Sequence, residues 1–246
     1  DTNGKYHKLN EAYFLGGHKQ AIATLERMLD IQIDDYITFN WRSVVDAINI
    51  LGGVDIEITE AEFEYINSFI TETVESTGIG SHQLEHPGTQ HLDGVQAVAY
   101  ARLRLMDTDF NRTKRQRKIA GLALEKAKQA DFNTLKNLVL SVYPEISSSI
   151  SADDLIPFVR ETNNYYLGES SGFPFDNDTK DIGKLNYVIP VTLESNVRKL
   201  HAILYKESIY NPSNELIDIS NNIVNKTGLG TKYEVPKKAT ESSQTK

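Results

Sequence analysis

Residues 100–118 read YARLRLMDTDFNRTKRQRK, and their order of charges sets the local fold. From residue 102 to residue 118 there are seven basic and two acidic side chains, a local charge of +5 in a chain of net charge −8, so the remainder carries −13. Arg102 and Arg104 are two residues apart, which predicts an extended segment with both guanidinium groups on one face. Leu103 and Leu105 alternate with them, so the opposite face is predicted to be buried.

A helix is predicted to follow this extended segment. Asp107, Thr108 and Asp109 form a short polar turn, and either Asp109 or Asn111 is a suitable N-cap for a helix over residues 111–129. On that helix three polar side chains recur at spacings of three and four residues, which places them on neighbouring faces: Arg112, Arg115 and Gln116. The remaining basic residues are predicted to lie on a solvated face: Lys114, Arg117 and Lys118.

An arginine-bearing strand end that faces the first turns of a helix makes a pocket suited to phosphate oxygens. The guanidinium fork offers bidentate contacts, and the free N–H groups at the start of a helix add to the positive field. Nucleic acid is a less favoured anion here, because the charge outside this segment is strongly negative and no helix-turn-helix or zinc-finger pattern occurs.

Composition sets the broad class of protein. A chain of 246 residues with 39% hydrophobic and 24% charged residues is long enough to bury a sizeable core, and one large domain is expected. Cysteine is absent, which excludes disulfides and thiol chemistry. No apolar run approaches the ~18 residues of a transmembrane helix. The six histidines lack the spacing of a helical metal site.

Alternating helices and strands predict an α/β fold, with a central mixed β-sheet flanked by helices in three layers. The helices are predicted over residues 19–30, 41–51, 60–73, 92–101, 111–129, 153–160 and 193–206. The strands are predicted over residues 36–39, 54–58 and 185–191. Residues 231–246 are polar and are predicted to be a disordered tail, which leaves residues 1–230 for the domain.

Three blocks of sequence resemble a known family. Residues 88–116 read GTQHLDGVQAVAYARLRLMDTDFNRTKRQ, residues 7–17 read HKLNEAYFLGG, and residues 33–56 run from IDDYI to LGGVDI. In this order they are similar to the signature of the LytR–CpsA–Psr family. That signature begins with a leucine-aspartate-glycine turn and an alanine-tyrosine helix. An arginine-x-arginine pair follows, and then the pattern aspartate-x-x-arginine-x-x-arginine-glutamine. Residues 125–246 match more loosely.

The resemblance implies an enzyme of the outer face of the cell membrane and the cell wall, held by a membrane anchor upstream of residue 1. It implies a phosphotransferase that moves a glycopolymer from a polyprenyl pyrophosphate carrier to peptidoglycan. The polymer is a teichoic acid, a capsular polysaccharide or a related glycan. The implied cofactor is a divalent metal, usually Mg²⁺, and no nucleic acid is expected as a partner.

The resemblance also implies roles for individual residues. Those matched to pyrophosphate contacts are Arg102, Arg104, Arg112 and Gln116, with Arg115 in the same block and Lys8 lining the site. Arg104 and Arg112 are also candidates for stabilising charge during catalysis. Asp109 matches the acidic residue of the motif and either orients Arg112 or acts as the base for the incoming hydroxyl; its spacing favours the orienting role.

One departure from the family pattern concerns the N-terminal part. Members carry two further aspartates and an arginine upstream, ending near an arginine-aspartate-threonine segment, and this chain begins at about that point, with Asp1 and Thr2. The metal-binding aspartates and the N-terminal strands are therefore expected to lie outside this sequence, and no metal ligand is assigned within it.

Three functions remain open from the sequence. The first is the phosphotransferase. The second is a protein that binds or hydrolyses a polyprenyl pyrophosphate in the same pocket without transfer. The third is a nucleic-acid-binding regulator, which the acidic balance of the chain disfavours and which a steep salt dependence of duplex binding would reveal.

Overall fold

A computed structural model describes residues 7–104, 109–206 and 209–230. Those ranges contain nine α-helices: α1 (Glu11–Leu29), α2 (Trp41–Ile50), α3 (Glu60–Thr77), α4 (Gly94–Arg102), α5 (Asp109–Gln129), α6 (Phe132–Val142), α7 (Ala152–Arg160), α8 (Leu193–Tyr205) and α9 (Asn214–Thr227). Within the same ranges there are six strands: β1 (Ile37–Thr38), β2 (Val54–Ile58), β3 (Gly88–Leu92), β4 (Ser147–Ser148), β5 (Asn177–Ile182) and β6 (Leu185–Pro190).

The predicted α/β class is confirmed by this mixture of helices and strands. In the described residues the strands pair as three separate two-stranded antiparallel sheets, β1 with β4, β2 with β3, and β5 with β6. The chain divides into two compact units, Asp35–Ser170 and a second formed by Asp1–Asp34 with Ser171–Lys246. The prediction of one catalytic domain over residues 1–230 stays a prediction, and the predicted tail over residues 231–246 lies outside the described residues.

The core of the unit Asp35–Ser170 forms around β2. Val54, Ile56 and Ile58 are almost fully buried and the intervening acidic residues are exposed, as the strict alternation of the sequence predicts. The strand pairs with β3 in the register Val54 opposite Leu92, and its buried face belongs to one apolar cluster with α2, α3 and α4.

Helix α4 runs through the middle of that cluster, and eight of its nine residues are buried. The sequence fits this place because alternating alanines leave room for α2 and α3 on either side. Its start is fixed by a capping box: Asp93 accepts from the N–H of Gln96 at 2.8 Å, and the Gln96 side chain accepts from the N–H of Asp93 at 2.9 Å.

The predicted strand through residues 102–105 is wrong where the structure describes it. Arg102 is the last residue of α4, and the backbone leaves the helix only at Leu103, where φ is −50° and ψ is 127°. The helix continues because its small residues pack tightly up to Ala101 and because Arg102 is held by a hydroxyl on α3. The predicted alternation of buried leucine and outward-facing arginine is confirmed at the next two residues, since Leu103 is buried and Arg104 is exposed.

Most predicted helices are confirmed, with different ends. Helix α1 begins at Glu11, earlier than predicted, and is kinked at Gly16 and Gly17, where Gly17 has a positive φ of 64°. Helix α5 matches its prediction closely, although it begins at Asp109, so Asn111 lies inside its first turn and is not the N-cap. Within the described ranges, no helix is both long and apolar enough to cross a bilayer.

The second unit contains α1, the β5–β6 hairpin, α8 and α9. Asp30 follows α1 in the left-handed conformation, and its carboxylate accepts a hydrogen bond from the Tyr210 hydroxyl and another from the N–H of Ser213 at 2.7 Å. Burial raises the pKa of Asp30, but these hydrogen bonds outweigh it and hold the pKa below its ordinary value of 3.8. Asp30 thereby ties the end of α1 to the start of α9.

Gly94 is where α4 passes closest to α2, and its substitution tests this packing. A Cβ at residue 94 would lie 2.1 Å from the carbonyl oxygen of Val45, so we expect Gly94→Ala to lower the free energy of unfolding by about 3 kcal/mol. Urea unfolding followed by the fluorescence of Trp41, the sole tryptophan, measures it. The control is Gly80→Ala, whose Cβ meets no atom within 4 Å. Equal unfolding midpoints for the two variants would contradict the close approach.

Asp30 gives a prediction for pH dependence. Because its pKa is lowered in the folded chain, the unfolded chain binds a proton more readily, so this stabilisation is present above the ordinary value of 3.8 and is lost as the pH falls through the folded-state value. Urea unfolding at a series of acidic pH values should show a shallower pH dependence for Asp30→Asn than for the wild type. The exposed Asp218→Asn serves as the control. Wild-type pH dependence in Asp30→Asn would refute the role of this carboxylate.

Candidate functional site

Arg102 is a pre-positioned cation at the end of α4. Its Nη1 donates to the Thr73 hydroxyl at 2.8 Å, its Nη2 lies 3.3 Å from a carboxylate oxygen of Glu72, and its guanidinium is 5.5 Å from the ring centroid of Trp41. The side chain keeps 20% of its surface exposed. Three contacts on different sides fix the direction of the guanidinium, and its remaining surface is accessible from solvent.

Arg104 differs from Arg102 in having no such support. It is exposed, and no hydrogen bond or ion pair joins it to another residue in the described part of the chain. An exposed guanidinium keeps all five N–H donors available for an anion from solution. Of the predicted site residues, it is the one best suited to bind a phosphate directly.

Helix α5 presents Arg112 and Gln116 next to this segment. They are four residues apart and therefore share a face; Arg112 is half-buried and Gln116 is exposed. Lys114 and Lys118 are exposed, as predicted for the solvated face, and the Lys118 ammonium lies 5.5 Å from the Tyr100 ring centroid.

Arg115 turns into the interior instead. Its Nη2 donates to the carbonyl oxygen of Leu103 at 2.7 Å, and its Nη1 lies 3.6 Å from Oε1 of Glu62. The two side chains of this ion pair are only 7% and 10% exposed. The sequence placed Arg115 among the substrate-binding residues; these contacts favour a positioning role, because both ends of its guanidinium fork are already occupied inside the protein.

The contact between Arg115 and Leu103 brings the two cationic segments together. Leu103 stands between Arg102 and Arg104, and Arg112 is one turn before Arg115, so the bond fastens the first turns of α5 beside the end of α4. The structure therefore places side by side the two segments that carry four of the predicted residues: Arg102, Arg104, Arg112 and Gln116. Their roles toward a ligand stay predictions.

Two predicted residues are not placed in this cluster by the structure. Asp109 is the first residue of α5, but its side chain lies outside the described part, so its orienting and basic roles stay predictions. Lys8 belongs to the other compact unit, where its ammonium lies 4.8 Å from the ring centroid of Tyr187. Its contribution to the site also stays a prediction.

Residues that sequence reasoning missed are those that hold the arginines. Thr73 and Glu72 hold Arg102, and Glu62 holds Arg115. Thr59 and Glu62 do have the spacing of a capping box, which predicts their local bonds at the start of α3. No local signal predicts the pairing of Glu62 with an arginine on another helix.

A magnesium site is not formed by the residues that the structure describes. Among them, no three histidine, aspartate or glutamate side chains come together in a way that would hold a metal ion. Among the described carboxylates, Glu62 and Glu72 lie beside these arginines, and each is paired with one of them. Mg²⁺ prefers free carboxylates together with phosphate oxygens, so this donor set does not fit the ion.

A polar pocket of about 320 Å³ lies at the turn before α4. Its polar lining consists largely of groups that stabilise the fold, since Asp93 and Gln96 cap α4 and Asn49 accepts from the N–H of Gly94 at 2.7 Å. His91, at its edge, bonds to Asp55 at 2.7 Å, and this bond holds the pKa of Asp55 below its ordinary value. The leucine-aspartate-glycine turn of the motif therefore has a structural role, because its polar groups fix the start of α4.

Comparison with protein families identifies the relationship. The model of the LytR_cpsA_psr family matches residues 1–173, well over half of the chain. The chain belongs to the LytR–CpsA–Psr family. The resemblance seen in the three sequence blocks is thereby confirmed.

Two curated proteins are similar to this chain in sequence. The polyisoprenyl-teichoic acid–peptidoglycan teichoic acid transferase TagV of Bacillus subtilis is 27% identical over 212 residues, which are 79% of this chain and 52% of TagV. Biofilm regulatory protein A of Streptococcus mutans is 35% identical over 161 residues, 61% of this chain and 34% of that protein. The chain thus spans about half or less of these two curated relatives.

The fold is shared with solved structures of the family. The crystal structure of B. subtilis TagV aligns with a TM-score of 0.60 at 22% identity and covers 86% of this chain and 78% of that one. At this identity the likeness concerns the fold alone, and it supports the α/β class predicted from the sequence.

Proposed function

We propose that this protein is a phosphotransferase of the cell envelope, which transfers a glycopolymer from a polyprenyl pyrophosphate carrier to peptidoglycan. One observation carries the proposal, the proximity of two cationic segments. The exposed Arg104 follows the anchored Arg102 by two residues. The hydrogen bond from Arg115 to the carbonyl oxygen of Leu103 holds this segment beside the helix turn that bears Arg112. Two adjacent cationic segments suit two linked phosphates. TagV, which is similar in sequence, is a polyisoprenyl-teichoic acid–peptidoglycan teichoic acid transferase, and its substrate is of this class.

The chemistry follows from the substrate. An acceptor hydroxyl on peptidoglycan forms a new bond to the phosphorus that carries the glycan. The bond from that phosphorus to the bridging oxygen breaks, the hydroxyl proton is released, and the polyprenyl monophosphate leaves. Negative charge grows on the leaving phosphate, and fixed guanidinium groups stabilise it without reorganisation.

Each residue has a distinct part in this proposal. Arg102 and Arg104 bind one phosphate and Arg112 the other, while Gln116 adds a neutral donor on the same face as Arg112. Asp109 orients Arg112 or takes the proton of the acceptor hydroxyl.

Magnesium is proposed as the cofactor, although the described carboxylates do not form a site for it. When bound, Mg²⁺ would share the negative charge of the pyrophosphate, and it would be held by substrate phosphates together with one or two carboxylates. We place the enzyme at the outer face of the membrane, where its glycan-bearing substrate and its acceptor are found. A teichoic acid, a capsular polysaccharide or a related glycan is the transferred polymer.

Substitution of Arg104 tests the binding site. Because this side chain is exposed and has no described partner, Arg104→Ala should leave the free energy of unfolding unchanged and weaken binding of a polyprenyl pyrophosphate by about 10- to 100-fold, the loss of a charge-assisted contact. Isothermal titration measures the affinity. The matched control is Lys114→Ala, an exposed cation on the solvated face of α5. Equal affinities in both variants would remove Arg104 from the site.

Transfer itself is tested with a glycan-bearing polyprenyl pyrophosphate and peptidoglycan fragments, in Mg²⁺ and in EDTA. We expect a phosphodiester-linked glycan on the acceptor and release of polyprenyl monophosphate, both faster in Mg²⁺. Release of free glycan phosphate with an unmodified acceptor would instead show a hydrolase. Duplex DNA binding with a steep salt dependence, in the absence of pyrophosphate binding, would replace the proposal by a regulatory function.

A further inference from the structure

We propose that Glu62, acting through Arg115, is a positioning residue that makes the arginine cluster select pyrophosphate over monophosphate. The inference rests on the proposed function, and it assigns a role to two residues that do not touch the ligand. Glu62 and Arg115 set the distance between two cationic segments. One segment carries Arg102 and Arg104, and the other is the helix turn that carries Arg112.

The first support is the geometry of the pair. Arg115 uses its two terminal nitrogens for different partners: Nη2 bonds to the carbonyl oxygen of Leu103 at 2.7 Å, and Nη1 faces Oε1 of Glu62 at 3.6 Å. A guanidinium is planar and rigid, so its orientation is fixed once both ends are held. The Leu103 carbonyl lies between the two arginines of the first segment, and this fixed guanidinium therefore sets where that segment stands relative to α5.

The second support is that Glu62 is itself anchored independently of Arg115. Its Oε2 accepts from the N–H of Thr59 and from the Thr59 hydroxyl, both at 3.1 Å, while Oε1 faces Arg115. Its own N–H donates to the Thr59 hydroxyl at 3.2 Å. The carboxylate thus has one oxygen for the start of α3 and one for Arg115, which gives the arginine a rigid reference point.

The third support is burial. The exposed fractions of the two side chains, 7% and 10%, keep water from replacing either partner. Loss of one partner of a buried ion pair is usually strongly destabilising, whereas replacing both by uncharged groups is often neutral. A variant that lacks both charges can therefore keep its stability while losing the fixed position of the two segments, so the two contributions of the pair can be measured separately.

Selectivity follows from the spacing of the two segments. The phosphorus atoms of a pyrophosphate are joined through one bridging oxygen, so both phosphates are bound well only when the two cationic segments stand at a matching distance. A monophosphate occupies one segment and is insensitive to that distance. Since the proposed reaction releases a polyprenyl monophosphate, preference for pyrophosphate also favours departure of the product.

The test compares the affinities of farnesyl pyrophosphate and farnesyl monophosphate, which share the lipid and differ in one phosphate. Three variants are measured beside the wild type: Glu62→Gln, the double variant Glu62→Gln with Arg115→Met, and Asp131→Ala. The substitution Glu62→Gln retains the capping box, because glutamine serves at that position as well as glutamate. Asp131 caps α6 through the N–H groups of Asn133 and Thr134, so its loss lowers stability at a distance from the arginines.

We expect the ratio of the two affinities to fall about tenfold in Glu62→Gln and in the double variant, and to stay at the wild-type value in Asp131→Ala. The double variant should regain most of the stability that Glu62→Gln loses, as urea unfolding would show. A wild-type ratio in the double variant would overturn the inference and leave the pair a purely stabilising contact.

The same measurements distinguish failure of the proposed function from failure of this inference. A wild-type chain that binds farnesyl pyrophosphate no better than the monophosphate would overturn the proposed function, and this inference with it. A wild-type preference that all three variants retain would overturn the inference alone.

Discussion

The buried ion pair of Arg115 and Glu62 is the interaction on which the arginine cluster depends. Glu62 lies in the first turn of α3 and Arg115 belongs to α5. Arg115 also donates to the carbonyl oxygen of Leu103, which follows the end of α4, so its contacts connect three helices. Each charge alone would be costly at this depth, so the pair forms only when all three helices are in place. The spacing of the cations in this unit therefore depends on the contacts that Arg115 makes with two other segments.

The arginines of the motif form a graded series of exposure. Arg115 is buried, Arg102 is held on several sides with part of its surface free, and Arg104 is exposed. A guanidinium held by several contacts has a fixed orientation toward a ligand, whereas an exposed guanidinium can change its conformation to fit the ligand. A net charge of −8 on the whole chain makes the local concentration of arginines the distinguishing electrostatic feature of the sequence.

Local patterns in the sequence predicted much of the fold. The alternation of β2, the apolar face of α2 and the length of α5 were predicted because each depends on the period of side chains along one element. The extended conformation predicted for Arg102 was wrong because alternation over a few residues does not reveal that α4 continues to this residue. The inward turn of Arg115 was missed for a similar reason, since its partner Glu62 is distant in sequence and only tertiary packing brings them together.

The family motif contains residues that build the site as well as residues suited to bind a ligand. Asp93 caps α4, and Gly94 allows the carbonyl oxygen of Val45 to approach, so this part of the motif fixes where α4 begins. Arg115 fixes where α5 stands relative to the end of α4. A resemblance of sequence gives all of these positions equal weight, and it therefore groups Arg115, whose Nη2 is bonded to Leu103 inside the protein, with the exposed Arg104. Burial and hydrogen-bond partners separate the two groups, and they leave Arg104 as the cation most directly available to a phosphate.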